Sequence, residues 1–115
     1  MIGRKLQEFL LKGKVFVIGL TFVDKNGQLI ERYQTHGTVV GLTNNGILKL
    51  MREDNSIFQM PYDKETIEKA KSGDYKAKST GQIIRNPDYI ATWEITIPDH
   101  VDTEDLKKHG FVSPE

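Results

Sequence analysis

The clearest pattern in the chain is the alternation of apolar and polar residues from Tyr89 to Ile97. Apolar side chains take every second position, and threonine or glutamate takes most positions between them. Because successive side chains of a β-strand point to opposite faces, this period of two predicts a strand with one face against a core. A second run, Lys14 to Val23, is apolar at odd and even positions alike, which predicts a strand covered on both faces, with the N-terminal helix as one candidate cover.

Glycine and asparagine residues divide the first half of the chain into further short strands. The turn chemistry of Asp24 to Gly27 and of Thr43 to Gly46 is typical of hairpin loops. The strands expected around them cover residues 29–36, 37–42, 47–52 and 57–60. Gly37 interrupts this pattern, and a glycine inside a strand indicates a bulge or a sharp bend. The segment from Tyr75 to Arg85 is expected to be extended and to form a final hairpin with the strand that begins at Tyr89.

Three segments have helical signals. Ile2, Leu6, Phe9 and Leu10 are spaced as on one face of an N-terminal helix that ends at Lys12-Gly13. Asp63 is a candidate N-cap for a short helix near 64–71. The chain is therefore expected to be one β-rich domain, residues 1–98, followed by an acidic C-terminal tail, residues 99–115, which is either a loose tail or a short helix at residues 103–109.

Composition narrows the class of protein further. The 115 residues contain no cysteine, which excludes disulfides, thiolate nucleophiles and cysteine-based zinc sites and favours a reducing, cytoplasmic location. The longest apolar run, nine residues, is about half the length that crosses a bilayer, so no membrane partner is expected. Sixteen basic residues balance sixteen acidic ones. The charge is nevertheless uneven, because residues 1–14 carry an excess of three positive charges.

The glycine-containing strands carry a resemblance to a known fold. The segments 37–42 and 45–50, followed by 57–61, resemble the bent central strands of SH3-like and Sm-like small barrels. The resemblance implies a mainly β, α+β fold, either such a barrel or a strongly curled antiparallel sheet with an N-terminal helix. Sm-like proteins that bind RNA have an aspartate and an asparagine at the turn between these strands. Thr43 and Ile47 stand at those places here, so the resemblance does not extend to the RNA-binding residues.

Candidate catalytic groups are sparse. His36, His100 and His109 are the only side chains whose usual pKa lies near neutrality, and the sequence places no nucleophile beside any of them. The densest set of metal-capable groups is the polar segment from His100 to His109. We therefore expect no enzyme, no catalytic or metal-binding residue and no cofactor. A small hydrolase or metal enzyme that uses His36 or this acidic segment is the weakest of the three functional hypotheses.

The two stronger hypotheses concern binding. The leading one is a non-enzymatic binding or assembly module whose partner is another protein or a second copy of the chain. The alternative is a weak binder of single-stranded nucleic acid that uses the basic region 64–85, where five lysines and an arginine outnumber three acidic residues and Tyr62 and Tyr75 lie nearby. The candidate partner-binding residues are Tyr62, Lys69, Lys71, Tyr75, Lys76, Lys78 and Arg85.

Overall fold

The computed structural model describes residues 3–77 and 81–111. The elements are, in chain order, α1 (Gly3–Leu11), β1 (Val15–Val23), β2 (Leu29–Leu42), β3 (Ile47–Met51), β4 (Ile57–Pro61), a 3-10 turn (Lys64–Thr66), β5 (Ile67–Lys69), β6 (Tyr75–Lys76), β7 (Ile83–Ile84), β8 (Tyr89–Thr96) and α2 (Thr103–His109). The mainly β character predicted from the sequence is confirmed. Within these residues, neither helix has the length and hydropathy needed to cross a bilayer.

Six of the strands form one mixed sheet in the order β4-β3-β2-β1-β8-β5. Neighbouring strands are antiparallel except β1 and β8, which run parallel. The expectation of an entirely antiparallel sheet is therefore wrong for one central pair. The outer strands β4 and β5 are separate edges, so the sheet is open and not a closed barrel.

The middle of the sheet is β1, and its two faces are buried by different parts of the chain. Phe16, Ile18, Leu20 and Phe22 point into the main core and are almost completely buried. Val17 points to the opposite face and belongs to a second, smaller apolar cluster with Ala77 and Ile84. The predicted cover on both faces is thus confirmed, although the β6–β7 hairpin, and not the N-terminal helix, packs on Val17.

The strand that alternates most clearly in the sequence, β8, lies beside β1. Its register with β1 is continuous, from Phe16 opposite Tyr89 to Val23 opposite Thr96. Ala91 is buried and Trp93 is half-buried on the core side, whereas the threonines and the glutamate between them are exposed. The period of two is therefore confirmed. The expected hairpin between residues 75–85 and this strand is wrong, because β6 and β7 pair with each other.

The irregularity predicted at Gly37 lies further along β2, because residues 29–36 and 37–42 form one continuous strand whose register with β1 is unbroken at Gly37. The β2–β3 register shifts between Val39 and Gly41, as it does at a β-bulge. A Cβ at Gly37 would lie 3.0 Å from both the Leu50 Cβ and the Met51 carbonyl oxygen. Gly37 therefore allows the curled β3 strand to approach β2 closely.

The helix expected near 64–71 is wrong. A 3-10 turn covers Lys64–Thr66, and Asp63 caps it by accepting a hydrogen bond from the Glu65 amide at 3.0 Å. The chain then becomes extended, and Ile67 to Lys69 pair with β8. Strand pairing prevails here because it supplies hydrogen-bond partners for the second edge of β8 and packs the β-branched Ile67 against the main core.

The second helix lies within the segment that the sequence identifies as an acidic tail. Asp102 caps its N-terminus, and Leu106 and Phe111 pack against the main core. Gly110, with a φ of +88°, forms a β-bridge to Gln59 on the edge strand β4, and the Phe111 amide donates to the Gln59 carbonyl at 2.7 Å. This end of α2 is therefore attached to the edge of the sheet.

Replacing Gly110 with alanine should destabilise the fold. A Cβ at this position would overlap the backbone of Gln59, and the positive φ adds strain. We expect Gly110→Ala to lower the free energy of unfolding by roughly 2–4 kcal/mol in urea titrations followed by circular dichroism.

Gly27→Ala is the matched control for this measurement. Gly27 has a similar φ of +81°, but a Cβ added there would have no other atom within 4 Å. Its substitution should cost only about 1 kcal/mol, the strain of the dihedral alone. Equal losses for the two variants would show that contact between Gly110 and Gln59 does not stabilise the protein.

Candidate functional site

Two adjoining cavities of about 570 and 600 Å³ form a continuous groove on the surface. Both are lined by His36, Arg52, Glu53 and Ile84, and we call them together the His36 groove. Its walls are β2, the turn that follows β3, the β6–β7 hairpin and the last turn of α2.

The pairing of β2 explains where the groove lies. β3 pairs with β2 only from Thr38 to Leu42, so residues 33–36 border the groove. His36 is opposite Val17 in the β1–β2 register and therefore shares its face of the sheet. The β6–β7 hairpin packs on Val17 and forms the neighbouring wall. His36 lies in a corner between the sheet and this hairpin.

His36 contacts a carboxylate that the sequence analysis did not associate with it. Its Nε2 lies 3.5 Å from the Glu53 Oε1, and the Gln82 side chain donates to the Glu53 Oε2 at 2.8 Å. The His36 side chain is 18% exposed and that of Glu53 is 73% exposed. Glu53 therefore connects the histidine to the hairpin while remaining largely in water.

Arg52 attaches α2 to the sheet. Its Nη1 donates to the Lys107 carbonyl at 2.8 Å and its Nη2 to the Lys108 carbonyl at 2.5 Å. Its Nε donates to the Ser56 hydroxyl at 2.9 Å, and its guanidinium lies 5.2 Å from the centre of the Phe58 ring. A cation at the last carbonyls of a helix satisfies unpaired acceptors and complements the helix dipole.

The two hydroxyl groups of this region are also held by Arg52. Its Nη1 lies 3.3 Å from the Tyr33 hydroxyl and 3.4 Å from the Thr35 hydroxyl. Tyr33 in turn donates to the Lys107 carbonyl at 3.4 Å. Neither hydroxyl donates to His36. The groove thus contains a histidine next to a carboxylate, but its hydroxyls are directed to Arg52 and the helix.

A lysine completes the attachment of α2. The Lys107 ammonium forms an ion pair with Glu31 and lies 3.5 Å from the Glu104 carboxylate. It is also 5.8 Å from the centre of the Tyr33 ring. The hydrogen bond to Glu31 raises the pKa of Lys107 above its ordinary value of 10.5, with smaller contributions from the charges of both carboxylates.

The acidic side chains of the groove are already bonded, whereas two cations are not. Glu53 and Glu104 have the partners described above, and Asp54 accepts hydrogen bonds from the Ser56 hydroxyl and amide, which lower its pKa. Arg85 and the ammonium of Lys108 are exposed and form no hydrogen bond or ion pair with the described residues. Hydrogen bonds from the neutral Gln82 and Ser56 do not cancel the charges of Glu53 and Asp54, so the groove presents these exposed carboxylates together with two unpaired cations.

One end of the groove is apolar. Val40, Met51 and Ile83 line it and are 37%, 41% and 60% exposed. Half-buried Val15 and buried Ile84 lie alongside them. This end of the groove presents apolar side chains from three separate strands to water.

The candidate binding residues predicted from the sequence do not all come together. Tyr62 packs against the main core, whereas Tyr75 belongs to the cluster on the opposite face. Arg85 lines the groove; Lys78 is outside the described residues. The other three, Lys69, Lys71 and Lys76, are exposed on β5, after β5 and on β6.

The remaining histidines, His100 and His109, are exposed. In the described part of the chain, no three histidine, cysteine, aspartate or glutamate side chains are grouped as metal ligands. No protein-family model, no curated protein and no solved structure matches the chain. The function is therefore argued from the groove and the surface of this chain.

Arg52→Lys should loosen α2. The ammonium group of a lysine cannot reproduce the hydrogen bonds of the guanidinium to two carbonyls and a hydroxyl while also lying over the Phe58 ring. We therefore expect a loss of about 2 kcal/mol in the free energy of unfolding. Trp93, the only tryptophan, packs edge-to-face on Phe111 at 5.1 Å and supplies a local signal. Its emission should shift to longer wavelength if residues after α2 separate from the core.

Arg32→Lys is the control for Arg52→Lys, because Arg32 is exposed on the same strand as Tyr33 and forms no bond with the described residues. Its effect should stay within about 0.5 kcal/mol. Unchanged stability and emission in Arg52→Lys would contradict the role assigned to the guanidinium.

The Lys107 ion pair should make stability fall at alkaline pH. Because the pKa is higher in the folded chain, the ammonium stabilises the fold fully below the ordinary value of 10.5, and this contribution is lost as pH rises through the raised value. Urea midpoints measured from neutral pH to about pH 11 should decline less in Lys107→Met than in the wild type. Lys108→Met, which removes an exposed lysine without an ion pair, should follow the wild type.

Proposed function

We propose that the protein is a non-enzymatic binding module that holds an extended segment of a partner protein in the His36 groove. The observation that carries this proposal is a groove with exposed apolar side chains at one end and an unpaired cation in each cavity, Arg85 beside the apolar end and Lys108 at the other end. A segment with an apolar side chain followed by an acidic one would complement both ends. Charge complementarity of this kind selects partners and sets the register of binding.

The apolar end supplies the favourable free energy. Val40, Met51 and Ile83 remain in contact with water in the free protein, and covering them releases that water. Complete burial of a side chain of this size contributes about 1.5–3 kcal/mol, and these are partly buried already. A few well-packed contacts of this kind provide most of the affinity in typical interfaces.

The polar end supports binding in preference to catalysis. A general base needs the proton that it removes within hydrogen-bond reach, about 3 Å. The hydroxyls of Tyr33 and Thr35 are bonded to Arg52, and Glu53 is shared between His36 and Gln82. These bonds fix the shape of the wall, and a fixed wall lowers the entropic cost of binding.

The fold supports a likeness to SH3-like and Sm-like domains as part of the same proposal. An N-terminal helix precedes a β2–β3–β4 meander that packs closely at Gly37 and is bulged at Val39 to Gly41. Single-stranded nucleic acid, the alternative partner, receives less support from the positions of Tyr62 and Tyr75 on opposite faces of the sheet, because stacked bases need aromatic rings on one surface.

A random-peptide display library tests the proposal directly. Immobilised wild-type protein should enrich peptides in which an apolar residue lies near aspartate or glutamate. The double variant Met51→Ser, Ile83→Ser should bind the enriched peptides at least about tenfold more weakly, since it removes two apolar contacts from the groove. Fluorescence anisotropy with a labelled peptide measures the change.

The matched control is Leu29→Ser, an exposed apolar residue at the start of β2 that does not line the groove. It should bind the enriched peptides like the wild type. Failure to enrich any peptide, or equal binding by the groove variant, would exclude the groove as a peptide site.

A further inference from the structure

The first helix leaves an apolar face in water. Leu6, Phe9 and Leu10 are 44%, 77% and 59% exposed, and their i, i+3, i+4 spacing places them on one side of α1. The sequence predicted that such a face would cover the sheet, but the β6–β7 hairpin occupies that position instead. This exposed face on α1 is distinct from the His36 groove.

The other side of α1 holds the helix on the domain. Leu11 is buried in the main core, and the Glu8 carboxylate accepts a hydrogen bond from the Leu42 amide at 3.0 Å. The Lys12 amide, at the end of the helix, continues the helical bonding to the Glu8 carbonyl. The orientation that exposes Phe9 is therefore set by contacts on the opposite side of the helix.

The surroundings of the apolar face are cationic. Lys5, Lys12 and Lys14 are exposed and form no ion pair with the described residues. The one acidic side chain of residues 1–14, Glu8, is used in the bond to the Leu42 amide. Lys5 lies within α1 and Lys12 and Lys14 follow its C-terminal end, so an incoming surface would meet three apolar side chains with unpaired lysines close to them in the chain.

We propose that α1 binds the surface of an anionic lipid bilayer, independently of the groove. A short amphipathic helix with a phenylalanine and leucines on one side and lysines at its border lies in the plane of the interface, with the apolar side chains at the acyl boundary. The lysines then reach the anionic headgroups, each strengthening binding by roughly fivefold. The nine-residue helix lies on the bilayer and does not cross it, so this proposal departs from the expectation of no membrane partner, which rested on the length needed to cross a bilayer.

A second copy of the chain fits this face less well. Symmetric packing of two α1 helices would bury the same apolar side chains but would bring the lysines of both copies together. Like charges placed side by side on helices repel. An anionic surface, in contrast, neutralises all three lysines at once.

Vesicle flotation tests the proposal. The full chain should float with vesicles of phosphatidylcholine mixed with phosphatidylserine and should remain in the dense fraction with phosphatidylcholine alone. Added salt should weaken the interaction because it screens the lysines. Phe9→Ser with Leu10→Ser should reduce the bound fraction at least about tenfold, since large apolar side chains leave the interface. Lys5→Ser with Lys12→Ser should also reduce it.

Two exposed positions away from the helix provide controls. Leu29→Ser removes an apolar side chain, and Lys64→Ser removes a lysine from the 3-10 turn, so both should float like the wild type. Circular dichroism before flotation confirms that each variant is folded.

Three results would overturn the proposal. These are no flotation with phosphatidylserine at low salt, equal flotation with neutral vesicles, and flotation unchanged by the α1 variants. Another contrary result is a wild type that fails to bind vesicles but self-associates in analytical ultracentrifugation. If Phe9→Ser abolished that self-association, the apolar face of α1 would be assigned to contact with a second copy. Peptide binding in the groove is unaffected by any of these outcomes, so the two proposals fail separately.

Discussion

The structure depends on the burial of β1 between two strands and two apolar clusters. Its long register with β2 and β8 satisfies the backbone on both edges, and Phe16, Ile18, Leu20 and Phe22 fill the main core from one face. Val17 faces the other way and gives the β6–β7 hairpin an apolar surface to pack on. Without that packing, the hairpin would lose its apolar attachment to the sheet and the groove would lose part of the support of one wall.

The groove is built from parts that are far apart in the chain. Arg52 bonds to carbonyls of residues 107 and 108, Glu53 to Gln82, and Gly110 approaches Gln59. These contacts place the end of α2 beside the turn after β3. Further hydrogen bonds from Arg52 hold the hydroxyls of Tyr33 and Thr35, so the polar side chains of this region support one another. The hydrogen bonds that shape the groove are thus made by the same polar side chains that line it.

The sequence was most informative where one segment determines its own structure. The period of two in β8, the apolar run of β1 and the turn residues between strands are local signals, whereas the bulge expected at Gly37 lies between Val39 and Gly41. The sequence wrongly predicted a helix at residues 67–69, because their extended form depends on pairing with β8 about twenty residues later. Arg52 was missed for a similar reason, because its partners are backbone carbonyls that carry no sequence signature. His36 was noticed, but Glu53 was recognisable as its neighbour only once the strands were placed.

The parallel pairing of β1 with β8 has a consequence for biosynthesis. The Val15 amide donates to the Asp88 carboxylate across a separation of 73 residues, and the register continues from there to Thr96. While the ribosome is still adding the intervening segments, the edge of β1 that will pair with β8 has no partner strand. Such an unpaired strand is a template for pairing with other chains, and distant contacts form slowly. The interval before the last strand emerges is therefore the time at which newly made chains most need protection from aggregation.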